Sequence, residues 1–135
     1  MQSTQTNFKR TLGLVSLILC AVLFLQACSV TQPETYAPKR GQNGKDVMWL
    51  PTGDDLIVKM LKAAKVGPQD EVVDLGAGDG KIPIAAARLF GARAWGIEYN
   101  KDLAALAQRN AQRAGVADRV RIVHGDIFQE DFSKA

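Results

Sequence analysis

The sequence predicts an α/β fold in which parallel strands are joined by crossover helices. Three observations predict it. Short apolar or β-branched runs alternate with segments whose apolar residues recur at helical spacing. The strand-to-helix turns are rich in glycine, and an acidic residue stands at or beside the carboxyl end of each strand. The order helix–strand–helix–strand–helix–strand is that of right-handed crossover units, whose ligands sit beyond the carboxyl ends of the strands.

The elements follow in order. Leu56, Ile57, Met60, Leu61 and Ala64 mark a first helix, between the turn-like Pro51-Thr52-Gly53-Asp54 and Gly67-Pro68. Glu71-Val72-Val73-Asp74-Leu75 is a short strand running into Gly76-Ala77-Gly78-Asp79-Gly80. A helix follows, with Pro83 tolerated in its first turn and Gly91 beyond its end. Residues 92–98 form the second strand. Leu103, Leu106, Ala107 and Ala111 mark the second crossover helix, stopped by Gly115. Val120-Arg121-Ile122-Val123-His124 is the third strand, ending in Gly125-Asp126.

Composition narrows the class further. The chain has 135 residues, 47% hydrophobic and 23% charged, as suits a single globular domain. Two cysteines are too few for a disulfide scaffold, so the fold rests on a packed core. The net charge is +3, but Lys9 and Arg10 precede an uncharged apolar run, residues 12–25. From residue 28 onward 15 basic residues face 14 acidic ones, which gives no electrostatic case for nucleic acid as a partner. Arg109, Arg113, Arg119 and Arg121 read as a solvated basic face.

Residues 1–28 have the anatomy of an export leader. A helix of fourteen residues spans about 21 Å, short of the ~30 Å hydrocarbon core of a bilayer. Leu25-Gln26-Ala27-Cys28 resembles the lipobox of bacterial lipoproteins, a resemblance that implies lipidation at Cys28. An uncleaved membrane anchor and ordinary cleavage remain as alternatives. Each of the first two implies membrane association, with the side of the membrane left open. Residues 29–45, with Pro, Gly, Gln, Ser and Thr and no apolar periodicity, read as a flexible linker. The ordered domain is expected over 46–135.

The glycine loop carries the functional signal. Glycines at alternate positions let the backbone turn sharply and approach a ligand closely, and the next helix presents its N-terminus there. The spacing Gly76-x-Gly78-x-Gly80 differs from the dinucleotide fingerprint, whose third glycine falls where this chain has Lys81. Ile82 stands where a P-loop needs Ser or Thr. Asp74 and Asp79 would repel a pyrophosphate, whereas a ligand carrying a sulfonium and an ammonium suits an acidic rim. Glu98, 24 residues after Asp74, can accept from both hydroxyls of a ribose. Asp126 can accept from an adenine amino group. His124, the one histidine, reads as structural.

Val73-Asp74-Leu75-Gly76-Ala77-Gly78-Asp79-Gly80 resembles the first motif of the class I S-adenosylmethionine-dependent methyltransferases. Gly96-Ile97-Glu98 is similar to their second motif, and Gly125-Asp126-Ile127-Phe128 to their adenine motif. The resemblance runs from about Trp49 to the end of the chain. It implies a Rossmann-like sheet and S-adenosylmethionine as cofactor. Gly76 and Gly78 would contact its methionine part, with Asp74 orienting the loop and the ammonium. Asp79 and Gly80 complete the loop; Glu98 would hold the ribose, and Asp126 with Ile127 would frame adenine. Trp49-Leu50-Pro51-Thr52, with the helix that follows, is similar to a prokaryotic branch of non-SET lysine methyltransferases. That likeness hints at a protein lysine as acceptor; a small-molecule acceptor stays open, and no catalytic base is identifiable. Such a fold has seven strands and only three are accounted for, so the chain is expected to be the cofactor-binding half of a longer enzyme, truncated after its third strand. The alternatives are a tethered domain that binds an adenosine compound without catalysis and a fragment of an NAD-dependent oxidoreductase.

Overall fold

The structure, a computed structural model, describes residues 36–133. The leader, Cys28 and residues 29–35 of the expected linker lie outside the described residues. Three strands, β1 (Glu71–Leu75), β2 (Arg93–Glu98) and β3 (Val120–His124), form a parallel sheet in the order β1-β2-β3. Three helices alternate with them: α1 (Asp54–Ala63), α2 (Lys81–Phe90) and α3 (Lys101–Arg113). This is the Rossmann-like arrangement expected.

Each boundary has a local cause. Asn100 caps α3, its side-chain oxygen accepting from the amides of Asp102 and Leu103 at 2.9 and 3.1 Å. Helix α2 has no side-chain cap; Gly80 enters it and Gly91 leaves it, both left-handed (φ +84° and +74°). Pro83, at its third position, has no intrahelical partner to lose.

Register sorts the side chains between two faces. Val72, Ala94 and Val120 stand side by side, as do Asp74, Gly96 and Ile122. That face meets α2 and α3, with α1 packed on α2, and Ile57, Leu61, Ala86, Ala94, Ala107 and Ile122 share one core. The contacts are small-on-small, so the helices sit close to the sheet. A Cβ on Gly96 would lie 2.7 Å from Ala77 Cβ and 2.8 Å from Ile122 Cδ1, which explains glycine in the middle strand. On the other face Val73, Trp95 and Arg121 line up, with the Arg121 guanidinium 5.1 Å from the Trp95 ring centre. Among the described residues both β1 and β3 have an open edge, because β2 is the middle strand.

Hydrogen-bonded structure begins ten residues earlier than composition suggested. Residues 41–49 form a small antiparallel hairpin, with Gly41 and Trp49 and then Trp49 and Gln42 joined at 2.9 Å and a turn closed by Gly44 N–H to Val47 O at 3.0 Å. Gln42 is itself tied to Lys39 N and the Tyr36 hydroxyl. The polar composition of 36–45 thus reflects a hydrated hairpin that satisfies its own backbone, not a segment without structure. Among the described residues no helix is long and apolar enough to cross a membrane.

Candidate cofactor-binding site

The carboxyl ends of β1, β2 and β3, roofed by the hairpin, enclose a cleft of about 830 Å³. A narrower crevice of about 50 Å³ continues from it past Gly76 toward Asp74, Gly78 and Asp79, beneath Trp49 and Pro51. Both lie where a parallel sheet places its ligands.

The glycine loop is built to look inward. Gly76 and Ala77 both donate their amides to Ile97 O at 2.9 Å, Gly80 donates to Ala77 O at 2.8 Å, and Gly78 donates to Glu98 Oε2 at 2.8 Å. Gly76, Gly78 and Gly80 all have positive φ, +91°, +56° and +84°, which only glycine adopts without strain. A phosphate cradle needs free amides pointing at the ligand. Here four loop amides are already committed, so the loop offers an anion little.

Acidic groups supply the opposite attraction. Asp74 is mostly enclosed, and no described residue donates a hydrogen bond to its carboxyl. Burial, then the nearby charges of Glu98 and Asp79, push its pKa up to about 6. Asp79 is also raised, chiefly by burial, with Lys81 opposing. A cation delivered to this crevice relieves the repulsion that Glu98 and Asp79 exert on Asp74.

Glu98 is 8% exposed, and both its oxygens are engaged: Oε2 with Gly78 N and Oε1 with Asn100 N at 2.7 Å. It therefore holds the loop to the end of β2 while still lining the cleft. Each oxygen keeps a second lone pair for a ligand hydroxyl. Asp126 lines the far end with Ile127. Its Oδ1 accepts from Phe128 N at 3.1 Å and its Oδ2 pairs with Lys45 Nζ at 2.6 Å, and these bonds hold its carboxyl below the usual range.

Of the residues singled out from the sequence, Asp74, Gly76, Gly78 and Asp79 gather at the crevice and Glu98, Asp126 and Ile127 at the cleft. Gly80 stands apart. It packs on α3, where a Cβ would lie 2.9 Å from Ala107 Cβ, and it lines neither the cleft nor the crevice. His124 is exposed at the end of β3. Sequence reasoning missed Lys45, placed in a linker, and Asn110, whose side chain holds Asp79 O at 2.9 Å. It also left Trp49 without a position. The indole covers the loop so closely that a Cβ on Gly78 would lie 2.5 Å from Trp49 Nε1. No local pattern marks these contacts, which join residues about 30 to 80 positions apart.

Comparison with known proteins agrees with this geometry. Residues 74–135 match the ANTKMT methyltransferase domain family. The chain is 41% identical over 90 residues to a protein-lysine N-methyltransferase of Saccharolobus islandicus, covering 66% of this chain and 56% of that one. It resembles the crystal structure of an RNA methyltransferase from Salinibacter ruber in complex with S-adenosyl-L-homocysteine. There the TM-score is 0.63 at 48% identity, over 64% of this chain and 56% of the other. A methyltransferase from Geobacter sulfurreducens, also solved with S-adenosyl-L-homocysteine, gives a TM-score of 0.51 at 35% identity, over 53% of this chain and 29% of that one. The chain thus spans little more than half the length of the first two.

Proposed function

We propose that this chain is the cofactor-binding part of a class I S-adenosylmethionine-dependent methyltransferase, that it holds S-adenosylmethionine in the cleft, and that it serves methyl transfer to a protein lysine nitrogen. The observation that carries the reading is the pairing of a glycine loop whose amides are turned inward with a half-buried Asp74 that no described residue hydrogen-bonds. Such a site rejects diphosphate and accepts a cation. When bound, S-adenosylmethionine supplies an electrophilic methyl group on a sulfonium. Asp74 would face its ammonium, Gly76 and Gly78 its methionine backbone, Glu98 the ribose, and Asp126 with Ile127 the adenine. The chain's contribution is alignment and exclusion of water, since in-line displacement gains most from orientation. The lysine acceptor is supported by likeness to the Saccharolobus enzyme and by the near-balance of charge after the leader, which does not favour RNA.

Parallel calorimetric titrations of the full chain with S-adenosylmethionine and NAD test the cofactor. S-adenosylmethionine is expected to bind at least about tenfold more tightly, or about 1.4 kcal/mol. Tighter binding of NAD overturns the reading. Incubation with methyl-labelled cofactor, a lysine-rich protein and RNA then tests transfer. Label on lysine supports it, label on RNA alone replaces the acceptor, and binding without transfer reduces the chain to a non-catalytic holder of the cofactor.

We also propose that residues 1–28 attach the protein to a membrane, with lipid on Cys28. Feeding a bacterial host a palmitate analogue is expected to label the chain, and Cys28→Ser to abolish the label. Equal labelling of both proteins would refute lipidation at this residue.

A further inference from the structure

The hairpin tip places a side chain where the cofactor reading puts a ligand. Lys45 Nζ lies 2.6 Å from Asp126 Oδ2, 5.0 Å from the Tyr99 ring centre and 5.7 Å from that of Phe128. Those three groups are chemically a purine site. A carboxylate accepts from an exocyclic amine as it does from an ammonium, and aromatic faces that attract a cation also stack a base. Tyr99 and Phe128 are 51% and 80% exposed, so little besides Lys45 covers them.

We infer that Lys45 is an internal competitor for the adenine end of the cleft, seated on Asp126 between Tyr99 and Phe128, and that cofactor enters as the hairpin tip withdraws. The inference rests on the proposed cofactor reading. The ammonium and an adenine amino group want the same carboxylate and the same ring faces, so the two occupancies exclude each other. The tip is suited to leave. It is closed by one turn hydrogen bond, Gly44 N–H to Val47 O, and its apolar residues Val47 and Met48 are 78% and 58% exposed. Trp49, at the other end of the hairpin, stays against Gly78 and gives the tip a fixed base. Removing the charge of Lys45, by substitution or by acetylation, would free the slot.

The test is calorimetric titration of the full chain, as wild type, Lys45→Met, Lys45→Gln and Lys59→Met, with S-adenosylmethionine and with adenosine. Lys59 is an exposed residue of α1 and serves as a control for loss of one positive charge. Both Lys45 variants are expected to bind both ligands about three- to thirty-fold more tightly, the range set by an exposed ion pair with two ring contacts. The advantage should shrink as salt rises, because salt weakens the lysine–carboxylate pair in the wild type. Lys59→Met should match the wild type. Adenosine is the decisive arm because it carries no charge. A gain for S-adenosylmethionine without one for adenosine means that Lys45 acts only by repelling a cation, and the competitor is overturned. Unchanged or weaker binding in both Lys45 variants also overturns it, the latter showing that Lys45 closes over the ligand. Failure of all four proteins to bind either ligand removes the cofactor reading itself, and this inference with it.

Discussion

Replacing Asp74 with asparagine is expected to make the protein more stable at pH 7 and far poorer at holding a cationic cofactor. Its carboxyl is pushed up to about 6 by burial and by the charges of Glu98 and Asp79. The folded state therefore holds the proton more tightly than the unfolded chain does. Stability from this group is complete below about pH 4 and is lost as pH rises through about 6. A neutral side chain avoids that loss. Asp74→Asn should gain about 1–3 kcal/mol at pH 7, less where the amide finds no partner, and nothing near pH 4. Thermal melts of both proteins at the two pH values measure it. The same variant should weaken S-adenosylmethionine at least about tenfold, roughly 1.4 kcal/mol. In the wild type, cofactor binding well below pH 6 should release a proton from Asp74, with affinity falling about tenfold per pH unit there. A variant that is less stable at pH 7 and binds normally would show that Asp74 is a structural carboxylate rather than a waiting counter-ion.

Glu98→Ala should damage the fold and the cleft together. Its carboxylate is buried and accepts from Gly78 N at 2.8 Å and from Asn100 N at 2.7 Å. Truncation strands the buried Gly78 amide, a loss of about 1–3 kcal/mol. Relief of repulsion on Asp74 works the other way but is the smaller effect, because burial is the larger cause of that shift. The loosened loop and the lost ribose acceptor should weaken S-adenosylmethionine by a further ~1–3 kcal/mol, or about five- to 150-fold. Glu98→Gln should fall between, since its carbonyl can serve one amide while its NH2 confronts the other. Melting temperature and cofactor affinity both at wild-type values in Glu98→Ala would remove the residue from either role.

These two residues show why part of the site is legible in the primary structure. Asp74 and Glu98 occupy the ends of adjacent strands, and crossover connections bring such ends together whatever the details of packing. The glycine spacing is equally local, because positive φ at Gly76 and Gly78 is a demand each position makes by itself. Gly80 shows the limit. It shares the spacing and the positive φ of its neighbours, yet its lack of a side chain serves the approach of Ala107. Spacing reveals that a glycine is needed and not which neighbour needs it.

Lys45 marks the limit from the other side. In sequence it sits in a polar, Gly- and Asn-containing stretch that reads as linker, because such residues satisfy turns and solvent equally well. Only in three dimensions does the hairpin of 41–49 carry it onto Asp126, 81 positions away. What the amino-acid order determined alone was the alternation of strands and helices, the left-handed loop and the acidic strand ends, since each follows from short-range periodicity or backbone sterics. What the tertiary structure decided was the direction of the loop amides, the partial burial of an Asp74 carboxyl that no described residue hydrogen-bonds, and the meeting of Lys45 with Asp126. Those depend on long-range packing and on the low dielectric it creates, neither of which is written in any local run of residues.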